Sequence, residues 1–524
     1  MSSTPELVAA VDVGTGSARA GLFDRAGRLL GRAESPIETR SGPDGRAEQA
    51  SGAIWTACGA ALAAARAEAG ADAAAVAGLA FDATCSLVLC DATGRPVAAS
   101  EAGGDAWDTI AWFDHRALEE AALCTASGHP VLADLGGAMS PEMQIPKLMW
   151  LKRHRPASWA RLGAAFDLAD YLAWRATGTA ARSLCTLACK WGYRSDAGGW
   201  PADFLAAMDL ADLAVRAALP AAGTDPGTDL GPLTHEAAAV LGLAPGTRVA
   251  AGLIDAHAGA LGVLGHLAGT PALGQNLALI AGTSSCLMAL APERREVAGL
   301  WGPQLGAILP GLWLTEGGQS VSGALLDHLL RLQGHPATPK MHAAVIARLR
   351  ALRAAEPDLA PRLHVLPDFH GNRSPLADPA ALGVISGLAL DASFDGLCRL
   401  YWRTCVAIAL GLRHILERFE AAGFGTEALH LAGGHTRNPL LMELYADATR
   451  RATVEPAAPD AVLLGTAMVA AAGAGLHASL AAAARAMHQG GRRRAPGEAR
   501  YERDWHAFRA MLRHRAEIDA IAAG

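Results

Sequence analysis

Short apolar runs alternate along the chain with longer stretches of helical period. Leu7–Val13 is apolar and β-branched and ends at Gly14-Thr15-Gly16-Ser17; residues 18–23 and 28–33 resume it, with Asp24-Arg25-Ala26-Gly27 as a turn between them. That pattern predicts a meander of strands at an antiparallel edge. Residues 76–81, 85–90 and 249–253 read as further strands, and 49–67, 116–126, 144–153, 167–177, 234–241 and 256–264 as helices. After a break of small residues at 265–271 the opening theme returns. Asn276–Ala281 predicts a strand, Gly282-Thr283-Ser284-Ser285 a tight turn and 286–290 another strand. Helices follow at 320–332, 341–354, 393–422 and 439–450, with a strand at Ala428–Ala432 before Gly433-Gly434. Strands interleaved with long helices make the class α/β. A strand–turn–strand unit near the start of each half predicts two similar domains facing one another.

Composition narrows the partners. The chain has 524 residues, 51% of them hydrophobic and 18% charged, enough apolar material for sizeable cores. With 45 Lys and Arg against 51 Asp and Glu the formal charge is −6, so no basic excess tracks a phosphate backbone and nucleic acid is not an expected partner. Arg492–Arg494 read as a solvated patch in a polar tail. The apolar tract at 461–476 is shorter than the roughly 20 residues of a membrane span and reads as a buried helix. The nine cysteines form no CxxC pair and no zinc-like Cys/His spacing; Cys185 and Cys189 read as buried free thiols. With no basic, apolar leader at the start, a cytoplasmic setting is expected. Only four lysines occur, Lys147, Lys152, Lys190 and Lys340, a scarcity that reads as coding bias; a lysine that survives it is a candidate for a position where a guanidinium does not fit.

A phosphate needs several N–H donors close together, and small residues let the backbone approach. Gly14-Thr15-Gly16-Ser17 and Gly282-Thr283-Ser284 supply such donors; either alone reads equally as a hairpin turn, and the pair points to a nucleotide between domains. Neither fits a P-loop or a dinucleotide fingerprint. Asp12, at the end of the first strand, is suited to hold Mg²⁺ through water, or to cap local N–H groups. Asp255 stands at a strand-to-helix junction, where it serves as a general base for a hydroxyl or as a helix N-cap. Gly433-Gly434 and Asn438 read as a second nucleotide wall. Trp112 and Asp114 in one segment, Lys190 among aromatics in a second and Glu316 in a third offer ring faces and hydroxyl-binding groups for a polyol, though each cluster taken alone reads as structural.

Together Asp12–Ser17, Gly252-Leu253-Ile254-Asp255, Gly282-Thr283-Ser284-Ser285 and Leu431-Ala432-Gly433-Gly434 resemble the FGGY carbohydrate kinases in their order and separation. Residues 81–88, 112–117, 139–144, 254–259 and 367–378 look like the D-ribulokinase branch of that family. The resemblance implies two actin-like (ribonuclease H-like) ATPase domains flanking a central cleft. It divides the chain into 1–266 with the sugar site, 267–475 with the nucleotide site, and a helical extension at 476–524 packing on the second domain. It implies ATP and Mg²⁺ as cofactors, a small sugar as substrate and, as often in the family, a homodimer. Asp255 then matches the general base, Asp12 the Mg²⁺-linked carboxylate, and Thr84, Cys85, Ser86, Lys190 and Glu316 the sugar contacts, with Trp112 and Asp114 shaping the pocket. The implied reaction is phosphorylation of a ketopentose, D-ribulose first; L-ribulose, xylulose and ribitol are alternatives, and a chaperone or filament ATPase of the same architecture is a rival.

Overall fold

The computed structural model describes residues 6–42, 45–498 and 501–522. Residues 1–5, which open the stretch inspected for a leader, and 499–500 and 523–524, within the expected extension, lie outside the described residues.

Two mixed sheets carry the fold. The first has six strands in the order Asp229–Pro232, Arg248–Ile254, Val76–Ala83, Leu7–Val13, Ser17–Phe23 and Leu29–Pro36. The second has seven, in the order Trp301–Leu305, Trp313–Gln319, Ser285–Ala291, Asn276–Ala281, Ala428–Ala432, Ala452–Pro456 and Gly491–Arg494. In each, the strand before the Gly-Thr turn pairs antiparallel with the strand after it and parallel with the strand on its other side. A second parallel strand and an antiparallel edge strand then complete that side. The repeat read from the two turns is therefore a repeated sheet plan, the two-domain α/β architecture expected. The inner strands are near-continuous apolar runs because helices cover both faces.

Helices Asp255–Leu264, Ala461–Gly473 and Leu480–Met487 lie between the sheets, sharing one core with Ala10 and Ala80 of the first sheet and Ala278 and Met288 of the second. Helix Phe394–Ala421 covers the outer face of the second sheet and Ser51–Ala69 that of the first. A smaller five-stranded sheet, including Leu87–Cys90 and Ala164–Asp167, packs with helices Gln144–His154 and Leu184–Lys190 on one flank. No helix among the described residues is long and apolar enough to cross a membrane.

The C-terminal stretch is helical on either side of the Gly/Arg/Pro interruption at 490–497, and within that interruption a strand forms that the sequence did not announce. Gly491–Arg494 is a strand at the edge of the second sheet, where Arg492 pairs with Glu455 at 2.6 Å and Arg493 with Glu427 at 3.2 Å. A run of arginines lacks the alternation that marks a strand; its partner, Ala452–Pro456, supplies the ladder. Leu480–Met487 packs against Ala461–Gly473 and the Gly265–Leu267 turn between the sheets, whereas Trp505 and Phe508 of Glu502–Ala522 join the core around Phe394–Ala421.

Candidate active site

Between the two sheets lies an open cavity of about 710 Å³. Its walls gather Gly14, Thr15, Thr84, Cys85, Trp112, Lys190, Asp255, Gly282, Thr283, Ser284, Glu316, Gly433, Gly434 and Asn438, residues expected from the sequence and drawn from both halves.

Asp255 is the first residue of helix Asp255–Leu264, just past the strand Arg248–Ile254. That strand is irregular between Ala250 and Leu253, and a Cβ on Gly252 would stand 2.0 Å from the Phe81 carbonyl, so the local path demands glycine. The Asp255 Oδ1 accepts the Ala256 N–H at 2.7 Å. Burial raises its carboxyl above the usual range, while that amide and then the charges of Arg19, His257 and Lys190 pull it back.

Both Gly-Thr turns close on themselves. The Gly14 N–H donates to the Ser17 carbonyl at 3.0 Å and the Gly282 N–H to the Ser284 carbonyl at 2.8 Å. Thr15 of the first turn and Thr283 and Ser284 of the second line the cavity. Gly16 and Ser17 lie outside the lining, as the Gly16 carbonyl takes the Ile37 N–H and Ser17 opens a strand. The second turn is braced by the start of helix Gly323–Leu332: Gly323 N–H reaches the Gly282 carbonyl at 3.0 Å, and a Cβ on Gly323 would stand 2.4 Å from that oxygen. Gly433 has φ +91° and its Cβ position lies 2.4 Å from the Ala281 carbonyl, so only glycine fits there. Asn438 lines the same wall and caps helix Pro439–Thr449 through the Leu440 N–H.

On the opposite wall Lys190 is buried with its ammonium 4.3 Å above the Trp301 ring. Glu316 Oε2 lies 3.0 Å from His257 Nε2, and its Oε1 is 3.9 Å from Arg373. Burial alone would raise the Glu316 carboxyl; the His257 hydrogen bond and charge, followed by Lys190 and Arg373, hold it down at about 2. The Trp112 indole N–H donates to Thr15 Oγ1 at 3.1 Å, so this ring is tied to the first turn.

Three expected residues sit behind the walls. Ser86 is fully buried; it lies 3.1 Å from Thr84 Oγ1 and accepts the Trp112 N–H, so it fixes the residues that do face the cavity. Asp114 is turned away from it: its carboxylate takes the Arg116 guanidinium and the Ala47 N–H, which leaves it a scaffold role in place of the expected pocket contact. Asp12 lies one layer back, behind Arg19, whose Nη2 is 2.5 Å from Asp12 Oδ2. Register sets Asp12 beside Asp82 on the adjoining strand. Burial, then Asp255 and Asp460, push the Asp12 carboxyl up to about 6 against the pull of Arg19, and burial and Asp12 raise Asp82 further.

The sequence reading missed other wall residues. Arg19, Glu142 and Arg373 line the cavity, as do Asp327, His342 and Tyr401 beside the glycine wall. Glu142 and Arg373 form a buried ion pair of 2.8 Å across the halves. Both lie in segments the sequence had singled out, and their opposite charge was the available signal.

Family models for the N-terminal and C-terminal domains of the FGGY carbohydrate kinases match residues 7–262 and 277–474. The chain belongs to the FGGY family of carbohydrate kinases. It is thus a phosphotransferase with an alcohol group as acceptor. A human FGGY carbohydrate kinase domain-containing protein is 41% identical over 98% of this chain and 97% of its own length. The D-ribulokinase of Saccharomyces cerevisiae is 36% identical over 88% of this chain and 71% of its own. Among solved structures, xylulose kinase from Rhodospirillum rubrum superposes with a TM-score of 0.76 at 25% identity, covering 98% of this chain and 99% of that one.

Proposed function

We propose that this chain moves the γ-phosphoryl group of ATP to the terminal hydroxyl of a ketopentose, converting D-ribulose to D-ribulose 5-phosphate. The observation that carries this reading is Asp255, a carboxylate at the cavity between the two glycine turns and the Lys190–Glu316 pair. Transfer needs an aligned acceptor oxygen, dispersed phosphate charge and a proton acceptor. One Asp255 oxygen is held by the Ala256 amide, which leaves Oδ2 for the acceptor hydroxyl and its proton. Lys190 donates to sugar oxygens and the ionised Glu316 accepts from sugar hydroxyls, while Trp112 offers a ring face. The amides of the two turn tips bind phosphate oxygens, and Gly433-Gly434 lets adenosine lie flat against backbone.

The donor set fits Mg²⁺. Neither Asp12 oxygen nor Asp82 Oδ1 has a well-aligned hydrogen-bond donor, and burial followed by the charge of Asp12 raises the Asp82 carboxyl. Asp12, with Asp82 beside it, would hold the ion through water. When bound, the ion supplies screening of the phosphate charge.

The name of the yeast relative supports D-ribulose, and the Rhodospirillum rubrum structure supports xylulose as a second reading. A panel of pentuloses and pentitols with ATP, read by ADP release and by NMR of the phosphate position, tests them. D-ribulose with the highest kcat/KM and phosphate on O5 is expected. A higher kcat/KM for another sugar, or ADP release independent of sugar, overturns the assignment.

A further inference from the structure

Cys185, Cys189 and His257 lie in separate stretches of sequence but converge behind the sugar wall, all three buried, with their ligand atoms within 4.8 Å of one another. The spacing of the cysteines in the sequence gave no sign of this, because the third member comes from another element. Cys185 and Cys189 are one helical turn apart on Leu184–Lys190, so both thiols leave the same face. That helix is fixed to the strand before Asp255 by its capping Ser183, whose hydroxyl donates to the Gly252 carbonyl at 2.7 Å. His257 stands on the first turn of the next helix, with Nδ1 3.0 Å from Cys185 Sγ.

The orientation of His257 is the informative feature. Its Nε2 faces Glu316 Oε2 at 3.0 Å. With Nε2 facing that carboxylate, Nδ1 is the ring nitrogen on the side of the Cys185 sulfur and the one placed to ligate an ion. Metal-bound histidines are held in this way, by a carboxylate on the ring nitrogen that does not ligate. Sulfur and nitrogen around a tetrahedral zinc ion stand about 3.5 Å apart, from bonds of about 2.3 and 2.0 Å. The Cys185–His257 contact needs to open by about half an ångström from its 3.0 Å to accept such an ion.

We propose that Cys185, Cys189 and His257 form a binding site for a borderline-soft divalent cation of the zinc class, and that its occupation inhibits the enzyme. On binding, each thiol gives its proton to solvent as a sulfur lone pair enters the metal bond, and two thiolates balance the charge of the ion. His257 and Glu316 both line the cavity, and Cys189 precedes Lys190, so the ligands are joined directly to the sugar wall. Opening Nδ1 away from the Cys185 sulfur to admit the ion turns the His257 ring and with it Glu316. Sugar and cation therefore compete. This last part rests on the kinase reading above; the binding site does not.

The probe is Co²⁺, added to the full-length protein without substrates. One equivalent is expected to give a thiolate-to-cobalt charge-transfer band. The band is expected to vanish in Cys185→Ala and Cys189→Ala, and binding to weaken about 10–100-fold in Glu316→Gln. Zinc-edge X-ray absorption on the Zn²⁺-loaded wild type reads the ligands without any variant, and two sulfurs with one nitrogen are expected. No charge-transfer band in the wild type, or a zinc shell of oxygen and nitrogen only, overturns the site. Zn²⁺ that binds with this shell yet leaves kcat/KM for the sugar unchanged overturns the inhibitory role. A band in a protein that phosphorylates no pentulose supports the site while the kinase assignment falls.

Discussion

Asp255 and Glu316 are two buried-side carboxylates in one cavity with opposite shifts, and the difference assigns them different work. Asp255 is raised by burial, so it is a stronger base than a solvated aspartate, and turnover falls as pH falls through its raised value. Glu316, at about 2, is already ionised across that range. Asp255→Asn is expected to lower kcat about 10²–10⁴-fold with thermal stability and sugar binding retained, measured by ADP release and by calorimetry. Near-normal kcat in that variant removes Asp255 from the proton transfer. Glu316→Gln is expected to raise KM for the sugar about 10–100-fold, the equivalent of a hydrogen bond to a charged group, and to leave the acid limb of the kcat profile where it was. A depressed folded-state value contributes stability above 4.5 that is lost as pH falls towards about 2. The gap in stability between wild type and Glu316→Gln should therefore narrow on acidification over that interval.

At the scale of elements, the position of Asp255 depends on how closely its helix meets Ala461–Gly473. A Cβ on Gly465 would stand 1.9 Å from the Ala258 carbonyl, and one on Gly262 would stand 2.1 Å from that of Ala461. Backbone meets backbone there, and the obstacle is not a side chain that can turn aside. Gly465→Ala is expected to destabilise by about 1–3 kcal/mol and to lower kcat, because the helix that it displaces begins with Asp255, the proposed base; thermal unfolding and turnover of the same preparation check both. These contacts also explain what the sequence showed and what it hid. Glycine turns, Gly433 and the long helices were legible because each is a local demand of the backbone or of helical period. Ala461–Gly473 was legible as buried, but not as the helix wedged between two sheets, since an all-round apolar surface names no partner. Asp114 misled because a carboxylate beside an aromatic reads the same whether it faces a ligand or holds an arginine. The Cys185–His257 contact and the Glu142–Arg373 pair join residues far apart in sequence, and spacing is silent on those.

Across the whole molecule, Glu142 of the first half and Arg373 of the second meet in a buried pair, and Arg373 also lies 4.9 Å from the Trp301 ring centroid. Arg373→Ala leaves Glu142 buried without its partner, which costs about 3–5 kcal/mol. The double variant Glu142→Gln with Arg373→Met is expected to recover part of that loss in denaturant unfolding, since no unpaired charge remains. A double variant as unstable as the sum of its parts would mean that the pair is not the source. The pair lies beside the sugar wall, so both single variants are expected to raise KM as well. The last strand has a consequence of another kind. Gly491–Arg494 ends the second sheet, and its outer rim of amides and carbonyls would otherwise invite a neighbouring chain to add a strand. Arg492, Arg493 and Arg494 keep charge at that rim, the first two paired with Glu455 and Glu427, and charged side chains along an edge work against a second copy arriving in register. Replacing these arginines by valine would leave the fold and its cleft in place and give a protein that clumps as it is concentrated.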